Sequence, residues 1–319
     1  MSPLAPGQPT TRSWSGAVRS KQMQAFVDAI QAQRSGTPPQ PEQGAVRLLR
    51  EAADRRYADA AVPGGVRIEA VHGARRGEWV WLAGRPAPGT VLYLHGGGYI
   101  LGRPAHFRAL AAGYARATGF RFFVLDYPLA PEHPYPAALD AALNAYRWLL
   151  GGARAEPVVL GGDSAGAGLA VCLLLAINAV RLPQPAAAFL LSPWVDLTLT
   201  SESMTAEPSD DPWSSRADFE MRARHYLGGN RPDDPLVSPL FAATADLASL
   251  PPLHIEVGSA DRLLGDAQAL AAKARQAGIE ADLEVTTGAV HCFPLHVPDA
   301  PESAAAAARI AAFIRRCSR

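Results

Sequence analysis

"VVLGGDSAGAG", residues 158–168, carries an apolar run into Gly-Asp-Ser-Ala-Gly and on into the apolar stretch "LAVCLLLAI" (169–177). Read in order, that is a buried strand, a tight turn and a buried helix, with Ser164 at the turn. Small residues at 162, 165 and 166 let a serine project from such a turn without clashes, the geometry of the G-x-S-x-G nucleophile elbow. The pattern alone is short enough to recur by chance; the strand before it and the helix after it give it weight. The competing reading makes Ser164 a helix N-cap.

Outward from the elbow, short β-rich runs alternate with helical stretches. Strands are expected at "TVLYLH" (90–95), "FRFFVLDY" (120–127), "PVVLGG" (157–162), "AAFLLSPW" (187–194), "PLHIEVG" (252–258) and "ADLEVTT" (281–287). Helices are expected near 105–117, 136–150, 164–180, 263–277 and 303–316. Near-continuous apolar strands separated by helices predict an α/β fold, a mostly parallel sheet flanked by helices on both faces. Upstream, "GVRIEAVHG" (65–73) and "GEWVWLAG" (77–84) alternate as a hairpin does. Residues 17–58 predict two helices split by the breaker "SGTPPQPEQ" (35–43), and residues 1–15, rich in Pro, Ser and Thr, are expected to be mobile. The polar stretch 196–245 breaks the alternation and holds one expected helix near 215–227. A connection that long inside a compact α/β fold is more often a lid than an idle loop.

A serine hydroxyl needs a histidine to take its proton, and the histidine needs a carboxylate to orient it. In a sheet of this kind reactive groups collect beyond the carboxyl ends of the strands. Four histidines follow Ser164: His225, His254, His291 and His296. His254 falls inside a strand and His225 in the insertion helix, whereas His291 follows the last strand, with His296 its competitor five residues on. Asp261 stands immediately beyond the preceding strand, where it also suits a helix N-cap; Asp266 lies further into the helix, where it would stabilise the first turns.

"VLYLHGGGYI" (91–100) ends a buried strand on three glycines. Glycine is costly to order, so a run of it implies close approach to the backbone. Attack by Ser164 on a carbonyl places charge on oxygen, and the N–H groups of Gly97, Gly98 and Ala165 are the candidate donors. Gly96 would permit the turn and His95 would brace the loop. A phosphate-binding loop does not fit, since no lysine follows the glycines.

The chain has 319 residues, 48% of them apolar and 19% charged, with 30 basic residues against 30 acidic. That neutral balance argues against nucleic acid or an anionic membrane as partner. Cys172, Cys292 and Cys317 are too few and scattered for a disulfide framework or a cysteine-rich metal site. The N-terminal residues lack the apolar core of a signal peptide, and no apolar run approaches the ~20 residues of a membrane span. A cytoplasmic protein without metal or cofactor is expected, acting on a small molecule; a homodimer is compatible with this reading.

Taken together, "HGGGY" (95–99), "LDYPLAPEHPYPAALDA" (125–141), "GDSAG" (162–166), "LSPWVDL" (191–197), "PLVSPL" (235–240), "GSADRL" (258–263) and "HCF" (291–293) resemble the hormone-sensitive-lipase-like (bacterial family IV) esterases of the α/β-hydrolase fold. The resemblance runs from about residue 85 to 316. It implies carboxylic-ester hydrolysis with Ser164, Asp261 and His291, and N-terminal helices (1–60) that join the 196–245 insertion as a cap over a core of 61–195 and 246–319. Three positions depart from that family's pattern: Pro128 and Arg262 stand where it commonly has arginine and proline, and the glycine after Gly166 is displaced to Gly168. Tyr99, Trp194, Trp213, Leu264 and Phe293 are candidate pocket walls, and each equally suits the core. Short- to medium-chain esters, aromatic esters or lactones are the expected substrates. Acyl transfer or lactone formation on the same triad is the alternative. A plant gibberellin receptor resembles the same family but has lost the catalytic histidine, which this chain retains as His291.

Overall fold

The computed structural model describes residues 19–34, 42–58, 61–152, 156–206 and 211–318. The segment 1–15 and most of the breaker at 35–43 lie outside the described residues. Eight strands form one sheet: β1 (Val66–Val71), β2 (Gly77–Leu82), β3 (Thr90–Leu94), β4 (Arg121–Leu125), β5 (Val158–Asp163), β6 (Ala187–Leu191), β7 (Leu253–Ala260) and β8 (Ala281–Val290). Their order is β1-β2-β4-β3-β5-β6-β7-β8. β2 runs antiparallel to β1 and β4, and every other neighbouring pair is parallel. The mostly parallel sheet expected from the alternation is therefore present, with the hairpin at one edge.

Period-2 alternation divides the sheet's side chains between two cores. Leu92, Leu94, Phe123, Leu125, Leu160 and Leu190 pack with the helices Ala137–Leu150, Ala165–Ala179 and Leu264–Gln276. Val91, Tyr93, Phe122, Val124, Val159 and Phe189 face the opposite way, against Arg108–Thr118 and Pro301–Cys317. Ala165–Ala179 is buried at every position through Ile177, as a helix apolar on all sides must be. A third cluster sets Met23 and Val27, one turn apart on Lys21–Arg34, against Val290, Phe293 and Val297. That docking fixes the first helix beside the end of β8.

The strand order reverses at β3: β4 lies on one side of it and β5 on the other. A crevice opens beyond the carboxyl ends of strands at such a switch point. The glycine loop leaves β3 there and Ser164 leaves β5. Asp261 follows β7 and His291 follows β8, so all four pieces reach the same edge of the sheet.

The expected insertion helix is Arg216–Leu227. It starts with a capping box between Ser215 and Asp218 and stops at Gly228 in a left-handed conformation. Three short elements had no sequence signal: the helices Glu202–Thr205, Thr244–Leu247 and Phe293–His296. Four residues complete barely one turn and leave no 3.6-residue period to read. The helix expected from 105 begins instead at Arg108, after a 3-10 turn over Pro104–Phe107.

Candidate active site

Ser164 occupies the turn between β5 and its helix with φ 52° and ψ −121°, a backbone conformation that costs about 1–3 kcal/mol. The turn is held by backbone bonds on both sides: the Ser164 N–H donates to Leu191 O, and Ser164 O accepts from Trp194 N. Although Ser164 stands at the N-cap position, its side chain caps nothing. Its Oγ lies 3.0 Å from His291 Nε2. On the other side of the ring, Nδ1 lies 3.1 Å from both oxygens of Asp261. All three side chains are buried. Asp261 Oδ1 also accepts the Leu263 N–H at 2.9 Å, a turn two residues long that precedes the helix; the N-cap is Leu263, with no side-chain cap, so Asp261 does not fill the expected N-cap position.

His291 is presented by strained neighbours. Cys292 takes a left-handed φ of 46°, and its N–H is held by Ser192 Oγ at 3.0 Å. The Cys292 thiol rests 3.5 Å from His291 Nε2, and burial pushes it up to about 11, so it stays neutral near pH 7. Burial disfavours a charged His291, and the Asp261 carboxylate against the ring favours it, holding the imidazole above its ordinary value. The other three histidines are engaged elsewhere. His296 Nδ1 lies 3.1 Å from Tyr57 Oη, and its ring stacks against Trp213. His254 pairs with Glu256 in the sheet, and His225 is half-buried on the insertion helix.

The glycine loop is braced from below by Asp163, the residue just before the serine. Asp163 Oδ1 accepts from Tyr93 Oη at 2.9 Å and from the Gly96 N–H at 2.8 Å. A side chain at 96 would begin 2.1 Å from the other carboxylate oxygen. Gly96 is thus required by close packing, a tighter constraint than the turn expected for it. His95 braces the loop as expected: its ring stacks 4.2 Å from Tyr127, whose hydroxyl donates to His95 O. Burial lowers His95 to about 4, so it is neutral near pH 7.

Gly97 and Gly98 have φ of 121° and 62°. Among the described residues no protein acceptor receives their N–H groups or that of Ala165. A Cβ on Gly97 would meet Leu101 O at 2.1 Å, whereas one on Gly98 would meet the Arg222 Cδ at 2.1 Å. The first obstacle is backbone and cannot yield; the second is a flexible side chain. Gly97→Val is therefore expected to lower kcat by about 10²–10³-fold, the cost of losing one oxyanion donor. Gly98→Ala should cost markedly less, and p-nitrophenyl butyrate turnover by the two variants checks that ranking.

The five candidate wall residues divide. Trp194 and Tyr99 lie close to the elbow, with ring centroids 6.0 Å apart. Tyr99 stacks on Tyr226 at 3.6 Å and Trp194 meets Phe219 edge-on. Phe219 in turn presents its edge to His291. Trp213 packs with Phe26 and His296, and the Arg56 guanidinium lies 4.6 Å over its ring. Phe293 is buried against the first helix, and Leu264 is half-buried at the start of its own. Asp266 does not serve its own helix: it accepts the N–H groups of Val195 and Asp196, fixing the loop after β6. The displaced glycine also has a cause, since a Cβ at Gly168 would sit 2.0 Å from Trp194 O.

Phe219, Asp163, Asp211 and Arg222 were not singled out in the sequence. Asp163 lies inside the elbow motif itself, but nothing in spacing shows that it reaches the glycine loop. Among the described residues no group of three or more His, Cys, Asp or Glu side chains is arranged to hold a metal ion, and no helix is long and apolar enough to cross a membrane.

Residues 91–295 match the family model described as alpha/beta hydrolase fold. An acetyl-hydrolase of Streptomyces hygroscopicus is 39% identical over 270 residues, covering 84% of this chain and 88% of that protein. An esterase of Acinetobacter venetianus is 38% identical, covering 75% and 78%. The crystal structure of an esterase from the bacterial hormone-sensitive lipase family superposes with a TM-score of 0.86 at 37% identity, covering 95% of this chain and all of that one. With half the chain inside the family model and relatives this similar along most of their length, the chain is an ester hydrolase and belongs to the hormone-sensitive-lipase-like esterases of the α/β-hydrolase fold.

Proposed function

We propose that the protein is a serine carboxylesterase that forms an acyl-enzyme on Ser164. The observation that carries this reading is the continuous line from Ser164 Oγ through the His291 ring to Asp261, at 3.0 and 3.1 Å. Ser164 Oγ attacks the ester carbonyl as His291 Nε2 takes its proton, and Asp261 holds the tautomer and stabilises the imidazolium. Charge on the tetrahedral oxygen is received by the N–H groups of Gly97, Gly98 and Ala165. His291 returns the proton to the leaving alkoxide, then activates the water that releases the acid.

The helices of 1–60 and the 196–245 insertion act as a cap over the core of 61–195 and 246–319. Their contacts support this. Arg50 donates to Ile100 O beside the glycine loop, Tyr57 reaches His296, and Arg222 covers Gly98. The aromatic packing of Phe219 and Tyr226, from the insertion helix, on Trp194 and Tyr99 beside the elbow favours short- to medium-chain or aromatic esters. The acetyl-hydrolase relative supports the short end of that range.

The neutral imidazole is the working form, so kcat/KM falls as pH drops through the His291 value. Because the Asp261 carboxylate holds that value above its ordinary 6.5, the acid limb for p-nitrophenyl esters should have its midpoint above pH 6.5. Profiles for acetate, butyrate and decanoate esters over pH 5–9 test both parts. A midpoint below 6.5 contradicts that upward shift, and faster turnover of the decanoate contradicts the substrate range.

A further inference from the structure

Arg262 follows the acid Asp261 directly, yet it is 4% exposed and points away from solvent. Its guanidinium donates to Ser214 O at 3.0 Å, Met204 O at 2.9 Å and Ala206 O at 3.4 Å. Its own carbonyl accepts from Ser203 Oγ, which in turn accepts the Gly265 N–H. Its backbone N–H donates to Asp211 Oδ2 at 3.3 Å. Asp211 is buried too, and its other oxygen accepts from Trp213 N at 2.7 Å and Ser214 N at 3.3 Å. Residues 204–206 and 211–214 are thereby tied to the short piece of backbone that carries the acid. The tie holds a second buried carboxylate on the backbone N–H of the residue that follows Asp261.

Resting on the triad reading above, we propose that Arg262 and Asp211 are positioning residues for catalysis. Arg262 seats residues 204–206 and 211–214 on the acid's backbone, and Asp211 contributes a buried negative charge that supports the His291 imidazolium. Three backbone N–H groups aimed at the Asp211 oxygens make an environment for an anion. Burial and the Asp261 carboxylate push the Asp211 carboxyl upward, while His291 pulls it down, the mark of groups that sense one another. The groups acting on His291 are Asp261 and Cys292 in contact, with Asp163, Asp211 and His296 further out.

Asp211→Asn preserves shape, keeps one oxygen to accept the Trp213 and Ser214 N–H groups, gives up the acceptor for the Arg262 N–H and removes the charge. It is expected to move the His291 titration to lower pH by about half a unit or more, read both as the acid limb of kcat/KM and as the imidazole 15N shift in full-length protein. A merely structural role would lower the active fraction and leave the midpoint in place; an unmoved midpoint overturns the charge role. The NMR titration is independent of turnover, so it separates failure of this proposal from failure of the triad reading. Hydrogen exchange on the unmodified enzyme tests the seat without any variant. The Trp213, Ser214 and Arg262 amides should exchange as slowly as β7, and exchange at loop rates would overturn it. Arg262→Lys should raise KM more than it lowers kcat, whereas unchanged kinetics would remove Arg262 from the proposal.

Discussion

Ser164→Ala is expected to lower kcat for a p-nitrophenyl ester by about 10⁶-fold, the scale on which loss of the nucleophile in a serine hydrolase acts. The buried Ser164 hydroxyl lies 3.0 Å from His291 Nε2, within reach to hand over its proton as it attacks. Alanine removes that atom and leaves the Leu191 and Trp194 backbone bonds at residue 164 in place, so the variant should fold normally. Its thermal unfolding should remain close to that of the parent. Residual turnover above the uncatalysed rate would come from the N–H groups of Gly97, Gly98 and Ala165. Retained activity within tenfold of the parent would remove Ser164 from the mechanism.

The second large effect concerns a tautomer. In Asp261→Asn the amide can still accept the Leu263 N–H through its oxygen, as Asp261 does at 2.9 Å. Its NH₂ then faces His291 Nδ1, which must become an acceptor, so the proton sits on Nε2. An imidazole protonated there cannot take the Ser164 proton. The expected loss is about 10⁴-fold in kcat, with little change in KM because no substrate contact is lost. Asp261→Ala is a poorer probe, since it also strips the Leu263 N–H of its acceptor. A loss in KM rather than kcat would recast Asp261 as a structural residue.

How far the sequence could be read depends on the reach of each interaction. The elbow was legible because a buried strand, a small-residue turn and an apolar helix are all local. Asp261 and His291 could be placed from their position just past predicted strands, because parallel sheets bring the carboxyl ends of strands together. The Asp163 brace was not legible: Asp163 and Gly96 are 67 residues apart and meet only because β3 and β5 are neighbours in the sheet. Arg262 stood out as a departure from the resembled family, but its three carbonyl acceptors lie 48 to 58 residues upstream. Phe219 against His291 was hidden for a different reason. Its helix carries apolar and polar residues with no dominant face, so nothing in its period announces which side meets the site.

The central claim is that Ser164 is the residue acylated during turnover. Treating the protein with diethyl p-nitrophenyl phosphate and recording intact and peptide masses tests it most directly. One diethylphosphoryl group per chain is expected on the peptide containing Ser164, with one equivalent of p-nitrophenol released and loss of esterase activity in step with both. An adduct on another residue, or full activity with Ser164 phosphorylated, would contradict it.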